Sequence, residues 1–382
     1  MKIAAIIAEY NPFHDGHRYH IEQTKLLTGA THVIAVMSGN FTQRGDVAIV
    51  PKHGRVRTAL QNGIDLVIEL PVAFSLSSAE QFATGAVTIL DALGCVETLS
   101  FGSECGDVEL LKEAAGAVHY AQTTDEFFNA MKNGKSYPAA LQSAVETYYT
   151  DDVVEVLTGA NNTLAVEYIK ALNESGSKIE PFTLKRIGAG HDEHIETSQE
   201  EYICASQIRK SMLENDSDGE YADIMRLETA ILAKLRTLSA KEIKKAPNVG
   251  GGLENRIFSA ARAARSLSEL YFLAKTKRYT LARIRRAILC CFLGIAQVDV
   301  KLKPQYVRIL GLNGKGKEIL ALLRENPSSL PIDTSLATLA KKSDECKRQA
   351  VLEDRCTNIY GLAFRKNLVC GKEFTEKVVV SE

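Results

Sequence analysis

Two histidines lie three residues apart directly after the first apolar run of the chain. Residues 11–17 read NPFHDGH and follow the run IAAIIAEY. Pro12 fixes φ at the entrance of this segment, Gly16 permits a close approach of the backbone, and side chains three apart can share one side of a helix. Imidazoles there can donate hydrogen bonds to phosphate oxygens, where negative charge grows as the phosphorus is attacked. The segment therefore predicts a phosphate-binding turn in which His14 and His17 face the ligand.

Other uses of the two histidines match the surrounding residues less well. The chain has no G-x-G-x-x-G after its first strand and no G-x-x-x-x-G-K-[ST] segment, which argues against a dinucleotide-binding or P-loop protein. A zinc protease site would need a third ligand and a general base, and this H-x-x-H lacks a Glu at helical spacing. We therefore predict no protein-held metal. Structural histidines without a ligand are the simpler alternative, which the flanking Pro12 and Gly16 disfavour.

Short β-rich runs alternate with helical patterns over the first hundred residues. The runs are IAAIIAEY, THVIAVMSG, DLVIELP and VETLSFGSE, and a later run, IEPFTLKRIG, follows a helical stretch that ends near Gly176. This alternation predicts the α/β class, with a Rossmann-like parallel sheet covered by helices. In such sheets ligands bind beyond the carboxyl ends of the strands, where the first turn presents a helix N-terminus to a phosphate. The fold would thus place residues 11–17 at a nucleotide cleft.

A change of pattern near residue 210 divides the chain. Its 382 residues favour two domains. We predict that residues 1–210 form the α/β domain, with residues 110–160 as a helical insertion. After the acidic stretch ENDSDGEY, helical periodicity dominates, so residues 211–382 are predicted to form a helical C-terminal domain.

Composition favours a cytoplasmic protein. Hydrophobic residues make up 45% of the chain and charged residues 24%, and no apolar stretch approaches the roughly 18 residues that a membrane span requires. The N-terminus has no small-residue cleavage site of a signal peptide. The eight cysteines include no C-x-x-C pair, which disfavours a disulfide scaffold.

Basic residues are concentrated in one part of the C-terminal half. Residues 241–291 contain twelve Lys or Arg against three acids, a balance that suits a polyanion. The candidates for nucleic-acid contact are Arg256, Lys275, Lys277, Arg278, Arg283 and Arg286. Tyr271, Phe272 and Tyr279 are interleaved among these cations, and aromatic rings can stack on unpaired bases. A solvated helical face is the alternative.

Further polar residues follow the other predicted strands. Lys52 and Arg55 could contact phosphates, with Asn40, Thr42 and Gln43 on the substrate side; an ordinary surface loop is the alternative. Gly102 lies where a strand end would meet a nucleotide. Asn161 and Asn162 stand at a helix entrance, where one could cap the helix and the other could reach a ligand.

The motif and several longer segments carry a family resemblance. N-P-F-H-x-G-H after a strand resembles the H-x-G-H signature of the nucleotidyltransferase superfamily. AEYNPFHDGH, VMSGNFTQRGDVAIVPKHGR, DLVIELP, GANNTLAVEY, GLENR and KTKRYT are similar to the bacterial tRNA(Met) cytidine acetate ligase family. The resemblance covers most of the chain and is densest in residues 1–105. It implies that acetate and ATP give acetyl-adenylate, and that the acetyl group passes to the wobble cytidine of elongator tRNA(Met).

The resemblance also implies a set of site residues. The catalytic candidates His14, His17 and Lys52 come from their own positions after the strands, and Mg²⁺ is expected to bridge the phosphates of ATP. EYICASQIRKSM resembles the I-S-S-T-x-I-R motif of the superfamily, with Cys204 and Ala205 departing from it. The implied ATP-binding residues are Ile7, Ala8, Glu9, Tyr10, Asn11, Pro12, Phe13, His14, Asp15, Gly16, His17, Arg18, Tyr19, His20, Gly102, Asn161, Asn162, Arg186, Ile187, Ser206 and Arg209.

Two other functions are compatible with the same motifs. A small-molecule adenylyltransferase of this superfamily would neither bind nor modify tRNA. A non-catalytic RNA-binding protein that uses ATP structurally would release no pyrophosphate.

Overall fold

The strands of the protein form one large sheet and a small hairpin. The structure is a computed structural model and describes residues 1–186 and 205–382. Its strands are β1 (Ile3–Ala8), β2 (His32–Ser38), β3 (Phe41–Thr42), β4 (Asp46–Val47), β5 (Leu66–Leu70), β6 (Thr98–Ser103), β7 (Glu180–Lys185), β8 (Val307–Leu312), β9 (Ile332–Asp333) and β10 (Val379–Val380).

Helices connect these strands and make up most of the C-terminal half. They are α1 (Asp15–Thr28), α2 (Lys52–Gln61), α3 (Val72–Ser75), α4 (Ala79–Leu93), α5 (Val108–Ala121), α6 (Asp125–Lys132), α7 (Tyr137–Tyr148), α8 (Asp151–Val156), α9 (Ala160–Ser175), α10 (Ala205–Glu214), α11 (Glu228–Thr237), α12 (Ala240–Ile243), α13 (Leu253–Ala263), α14 (Leu267–Ala274), α15 (Leu281–Leu293), α16 (Gln297–Lys301), α17 (Gly314–Glu325), α18 (Leu336–Leu339) and α19 (Asp344–Tyr360). Short 3₁₀ turns lie at Ile224–Leu227, Gly361–Ala363 and Lys372–Phe374.

The order of strands in the large sheet reverses at β1, which predicts a ligand crevice beside this strand. The order is β10-β8-β5-β2-β1-β6-β7, with β9 pairing to β8. From β5 to β7 all neighbours are parallel. The chain builds outward from β1 to β2 and β5, and then returns to the other side of β1 as β6. Ligands of open α/β sheets bind at such a reversal, beyond the carboxyl ends of the strands.

The central strands are apolar throughout because helices cover both faces of the sheet. All seven residues of β2 are buried, as expected for a parallel strand between two helical layers. Ile34 and Val36 face the layer that contains α4 and α9, whereas Val33 and Ala35 face α1 and α2. The period of two along a strand thus divides one apolar run between two cores.

The predicted α/β class and its five parallel strands are confirmed. Gly176 ends α9 with φ 65°, the left-handed cap predicted for it. Helices α5 to α8 occupy most of residues 110–160. The treatment of this segment as an insertion, and the division of the chain at residue 210, remain predictions.

The C-terminal half contains strands that the helical prediction did not include. β8 pairs with β5 in antiparallel fashion, and β10 pairs with β8. All six residues of β8 are buried, and a short apolar run that is buried on both faces cannot be distinguished from a buried helix by periodicity. The large sheet is therefore completed by residues far along the chain.

Within residues 1–186 and 205–382, no helix has both the length and the apolar character needed to cross a membrane.

Candidate nucleotide-binding site

The H-x-G-H segment forms the turn between β1 and α1, at the reversal of strand order. His14 is the N-cap residue of α1, and its backbone N–H donates to Nδ1 of His17 over 3.2 Å. The two rings lie 3.8 Å apart between centroids, with 30° between their planes. A Cβ on Gly16 would lie only 3.0 Å from Cε1 of His14, so any larger residue at this position would have to displace the His14 ring. The structure thus brings both histidines together at the predicted turn.

The hydrogen bond to His17 fixes which of its nitrogens can serve as a donor. Because Nδ1 accepts from the backbone, the proton of the neutral ring lies on Nε2. Partial burial lowers the pKa of His14, and burial followed by the neighbouring His14 lowers that of His17 well below its usual value. The cationic Arg186 lowers both further. At neutral pH the site therefore offers neutral imidazoles as hydrogen-bond donors.

His20 lies one turn further along α1, where it contacts the neighbouring strand. Its Nε2 is 3.0 Å from Oγ of Ser100 on β6, and the same hydroxyl lies 2.7 Å from Oγ1 of Thr24. These contacts fix α1 to the edge of the crevice. Burial, and then Arg186, lower the pKa of His20 to about 4.

The pKa of His20 predicts a pH dependence of stability. Between its folded value of about 4 and its usual 6.5, the unfolded chain binds a proton here that the folded protein does not. The free energy of unfolding therefore decreases as pH falls through this window. We expect His20→Gln to lose less stability than the parent between pH 7 and pH 5 in urea denaturation. His119→Gln, at an exposed position of α5, is the control, and an equal decline in all three proteins would contradict the prediction.

The turn is held by contacts from three directions. Oδ1 of Asn11 accepts from Ile49 N over 2.8 Å, and its carbonyl accepts from Nη1 of Arg209 on α10 over 2.7 Å. Tyr10, with φ 47°, and Phe13 pack against the ring of His17 at 5.0 and 5.4 Å between centroids. The predicted Arg209 is thus brought to the turn.

The opposite wall of the crevice is formed by the ends of β6 and β7. A Cβ on Gly102 would lie 3.2 Å from Cγ of Arg186, whose exposed side chain follows β7. Glycine at position 102 therefore leaves room for this cation beside the histidines. Both residues were predicted for the site, and the structure places them together.

Asn161 and Asn162 do not cap α9 with their own side chains. The carboxylate of Glu104 accepts from Asn161 N at 3.0 Å and from Asn162 N at 2.6 Å, so it caps the helix from the loop after β6. Oδ1 of Asn162 in turn accepts from Glu104 N over 2.8 Å. Burial disfavours the Glu104 charge, but the hydrogen bond from Nδ2 of Asn161 and those from the two backbone N–H groups outweigh it and lower the pKa of Glu104. The asparagines thus fix the loop that follows Gly102.

Arg55 is a brace for the strand ends rather than a phosphate contact. Its side chain is buried, and Nη1 donates to Glu9 O at 2.5 Å and to Ser38 O at 3.1 Å. Nη2 donates to Gly39 O. One guanidinium therefore joins the end of β1 to the end of β2. The predicted phosphate contact of Arg55 is corrected, because the carbonyls that the strand ends leave unpaired engage its guanidinium.

Lys52 lies in a buried cluster of charges. Its ammonium contacts the carboxylates of Glu69 and Glu373, both of which also contact Arg308. Burial disfavours the charge of Lys52, but Glu373 and then Glu69 outweigh it and raise the pKa of Lys52. With its side chain 2% exposed, Lys52 cannot reach a phosphate in this arrangement, so the predicted contact is corrected. Sequence reasoning missed its partners, although Glu69 within an apolar strand was a visible signal.

The polar loop after β2 is similarly structural. Oδ1 of Asn40 accepts from Lys52 N over 3.0 Å, and Thr42 Oγ1 donates to Asp46 O at 3.3 Å. The loop meets the turn after β1 at Gln43, whose N–H donates to Oε1 of Glu9 over 2.7 Å. Burial raises the pKa of Glu9, and the bond from Gln43 opposes the rise. This contact sets the hairpin β3–β4 beside the crevice.

The predicted nucleic-acid contacts differ widely in exposure. Arg256, Lys275 and Lys277 are exposed, and Arg278 and Arg283 are half-buried. Arg283 donates to Asn248 O over 2.9 Å and to Gly250 O over 3.4 Å. Arg286 is buried and donates to Gln43 O over 3.0 Å, so its predicted role in contacting RNA is corrected to that of holding the hairpin.

The remaining predicted residues are placed as follows. Asp15 and Arg18 form an exposed ion pair of 2.8 Å on α1. Ile7, Ala8 and Tyr19 are half-buried, Pro12 is buried, and Ser206 is exposed in the first turn of α10. Ile187 and Cys204 lie outside the described residues. In residues 1–186 and 205–382, His, Cys, Asp and Glu side chains form no group of three or more suited to a metal ion.

Comparisons with known proteins identify the family of this chain. A family model described as HIGH Nucleotidyl Transferase matches residues 1–373. The tRNA(Met) cytidine acetate ligase of Acetivibrio thermocellus is 37% identical over an alignment of 421 residues, with 100% of each chain covered. That of Clostridium kluyveri is 40% identical over 373 residues, which cover 88% of this chain and 90% of the relative.

Solved structures share the whole fold. Thermotoga maritima TmcAL bound with alpha-thio ATP superposes with a TM-score of 0.88, and its apo form with 0.90. Each is 32% identical and covers 100% of this chain and 99% of its own. Family match, sequence identity and fold extend over nearly the same length. The chain therefore belongs to the tRNA(Met) cytidine acetate ligase family, ATP-dependent ligases built on the H-x-G-H nucleotidyltransferase fold.

Proposed function

We propose that this protein activates acetate with ATP and transfers the acetyl group to N4 of the wobble cytidine in elongator tRNA(Met). The observation that carries the proposal is the pair of stacked imidazoles, 3.8 Å apart, at the reversal of strand order. The names of the relatives supply the substrate, and a solved relative binds an ATP analogue.

The first step is an in-line displacement at the α-phosphorus of ATP. An acetate oxygen attacks this phosphorus, the bond to the bridging oxygen of the β-phosphate breaks, and pyrophosphate leaves. Nε2–H of His17 and the guanidinium of Arg186 face the charge that develops on the phosphate oxygens. Catalysis by such preorganised donors requires no covalent protein nucleophile. Mg²⁺ enters with ATP, on its phosphates.

The proposed ATP site consists of residues 7–20, Gly102 and Arg186, with Ser206 and Arg209 on α10. Residues 7–20 span the end of β1, the turn and the start of α1. The loop after β6, which Asn161 and Asn162 hold in place, borders this site. The contacts of Arg209 with the turn and of Arg186 with Gly102 support this grouping.

In the second step, the cytidine N4 attacks the acetyl carbonyl carbon, AMP leaves, and the nitrogen loses a proton. The base must be unstacked to reach the anhydride. The exposed cations Arg256, Lys275 and Lys277 are suited to the phosphates of the RNA. A tRNA substrate would place the enzyme in the cytoplasm.

A single assay tests the proposal. The protein is incubated with ATP, labelled acetate and either elongator tRNA(Met) or other tRNAs, and label in RNA and free pyrophosphate are measured. We expect acetate-dependent pyrophosphate release and label in elongator tRNA(Met) alone. Pyrophosphate release without labelled RNA would point to a small-molecule adenylyltransferase. Absence of both products would point to a non-catalytic RNA-binding protein.

A further inference from the structure

We propose that Phe272 is a stacking platform for an unpaired nucleobase of the RNA substrate. The inference rests on the proposed function and names the residue that receives the RNA loop. Phe272 is 79% exposed, whereas the other three aromatics of residues 241–291 are engaged, with the guanidinium of Arg262 lying 3.4 Å from the ring centroid of Phe258. Tyr279 is buried, with its hydroxyl donating to Gly251 O over 2.5 Å. The ring of Tyr271 lies 5.3 Å below the guanidinium of Arg285.

Phe272 does not contribute to the hydrophobic core. α14 buries Leu267, Leu270 and Ala274 against the protein, and Phe272 lies on its outer side. A single exposed apolar residue is common on protein surfaces and by itself indicates nothing. The cations at the C-terminal end of α14 provide the second observation in favour of an RNA ligand.

Cations surround the end of α14. The ammonium of the exposed Lys275 donates to Tyr279 O over 3.0 Å, and Nε of the exposed Arg256 donates to Ala274 O over 3.3 Å, two residues after Phe272. Lys277 is also exposed in the next residues. The acid of this helix, Glu269, is occupied at the other end, where its carboxylate accepts from Arg265 N over 2.7 Å. The helix that carries Phe272 therefore ends beside the exposed Arg256 and Lys275.

The Phe272 surface is connected to the nucleotide site by packed residues. Arg285, which covers the neighbouring Tyr271, also packs on Gly45, where a Cβ would lie 2.6 Å from its own Cβ. Gly45 belongs to the β3–β4 hairpin, which contacts the turn after β1 through the Gln43–Glu9 hydrogen bond of 2.7 Å. Packed residues therefore connect α14 with the turn after β1.

An unpaired base suits this arrangement better than an apolar protein surface. Every nucleobase has a flat π-face that can stack on a phenylalanine ring, and its phosphate can pair with a nearby Lys or Arg. An apolar partner would have to desolvate the surrounding cations without compensation. Loops of tRNA present such unpaired bases together with closely spaced phosphates.

The test separates stacking from charge by the salt dependence of binding. We expect Phe272→Ala to weaken elongator tRNA(Met) binding about 5- to 100-fold, the range that stacking of one base provides, without changing the slope of log Kd against log salt. Phe272→Trp should restore binding, and Phe272→Leu, which keeps apolar volume but has no π-face, should not. Lys277→Ala should instead lower the slope by about 0.7 to 0.9. Fluorescence anisotropy over a series of KCl concentrations gives both quantities.

A matched control is another exposed phenylalanine. Phe128 is 49% exposed on α6, next to Asp125 and Glu126, and Phe128→Ala should bind tRNA as the parent does. Equal affinity of the parent, Phe272→Ala and Phe272→Leu proteins would overturn the stacking proposal while leaving the ligase proposal intact. Absence of tRNA binding by the parent would overturn both the stacking proposal and the tRNA step. Acetate-dependent pyrophosphate release, measured without RNA, reports separately on the adenylation step.

Discussion

Replacing His17 with alanine should lower the rate of acetyl-adenylate formation about 10²- to 10³-fold, the cost of removing one preorganised donor to a developing oxyanion. Nδ1 of His17 is engaged by the His14 backbone, so Nε2–H is the donor left for the phosphates in the proposed site, and alanine removes it. Because the pKa of His17 lies well below its usual value, His17 should be neutral in the free enzyme at neutral pH. Acetyl-adenylate formation should therefore not require its protonated form. Acetate-dependent exchange of labelled pyrophosphate into ATP measures this step without tRNA.

Two companion variants make the His17 result specific. His17→Gln keeps an N–H donor and should retain more activity than His17→Ala. His119→Ala, on the exposed side of α5, should exchange pyrophosphate at the parental rate. Full activity of the His17→Ala protein would contradict both the assigned donor and the proposed ATP site.

Replacing Lys52 with methionine should lower the free energy of unfolding by about 3 to 5 kcal/mol, the usual cost of breaking a buried ion pair from one side. Methionine fills a similar volume but leaves Glu69 and Glu373 facing one another with Arg308 as their shared cation. Burial raises the pKa of the neighbouring Glu353 to about 8, which indicates how strongly this region disfavours a further negative charge. Urea denaturation at pH 7 measures the loss.

An exposed pair on α5 supplies the control for Lys52. Lys112 contacts Glu109 at 2.9 Å with 40% of its side chain exposed, and exposed pairs contribute about 0.2 to 1 kcal/mol. Lys112→Met should therefore change stability by less than about 1 kcal/mol. If Lys52→Met kept parental stability but lost pyrophosphate exchange, Lys52 would act on ATP after all, and the cluster would not have the structural role given to it here.

The sequence by itself determined the local features of the site. A buried run followed by Pro12, Gly16 and two histidines predicted a strand, a tight turn and a helix start, because these depend on dihedral freedom and spacing within a few residues. The same reasoning placed the five parallel strands, since their apolar runs and connecting helices are visible along the chain. Arg186 and Arg209 were added by the resemblance of their segments to a known family.

Only the tertiary structure decided which charged residues are available to a ligand. Lys52 and Arg286 carry the positive charge expected of ligand contacts. Lys52 is nevertheless paired with Glu373, 321 residues away, and Arg286 donates to Gln43, 243 residues away. β8 likewise became a strand because β5 offered it an edge. Whether a charged side chain is exposed or buried depends on the partners that the fold brings to it. Burying an unpaired charge costs much more free energy than burying a paired one. Those partners are set by contacts between distant segments, which local spacing does not encode.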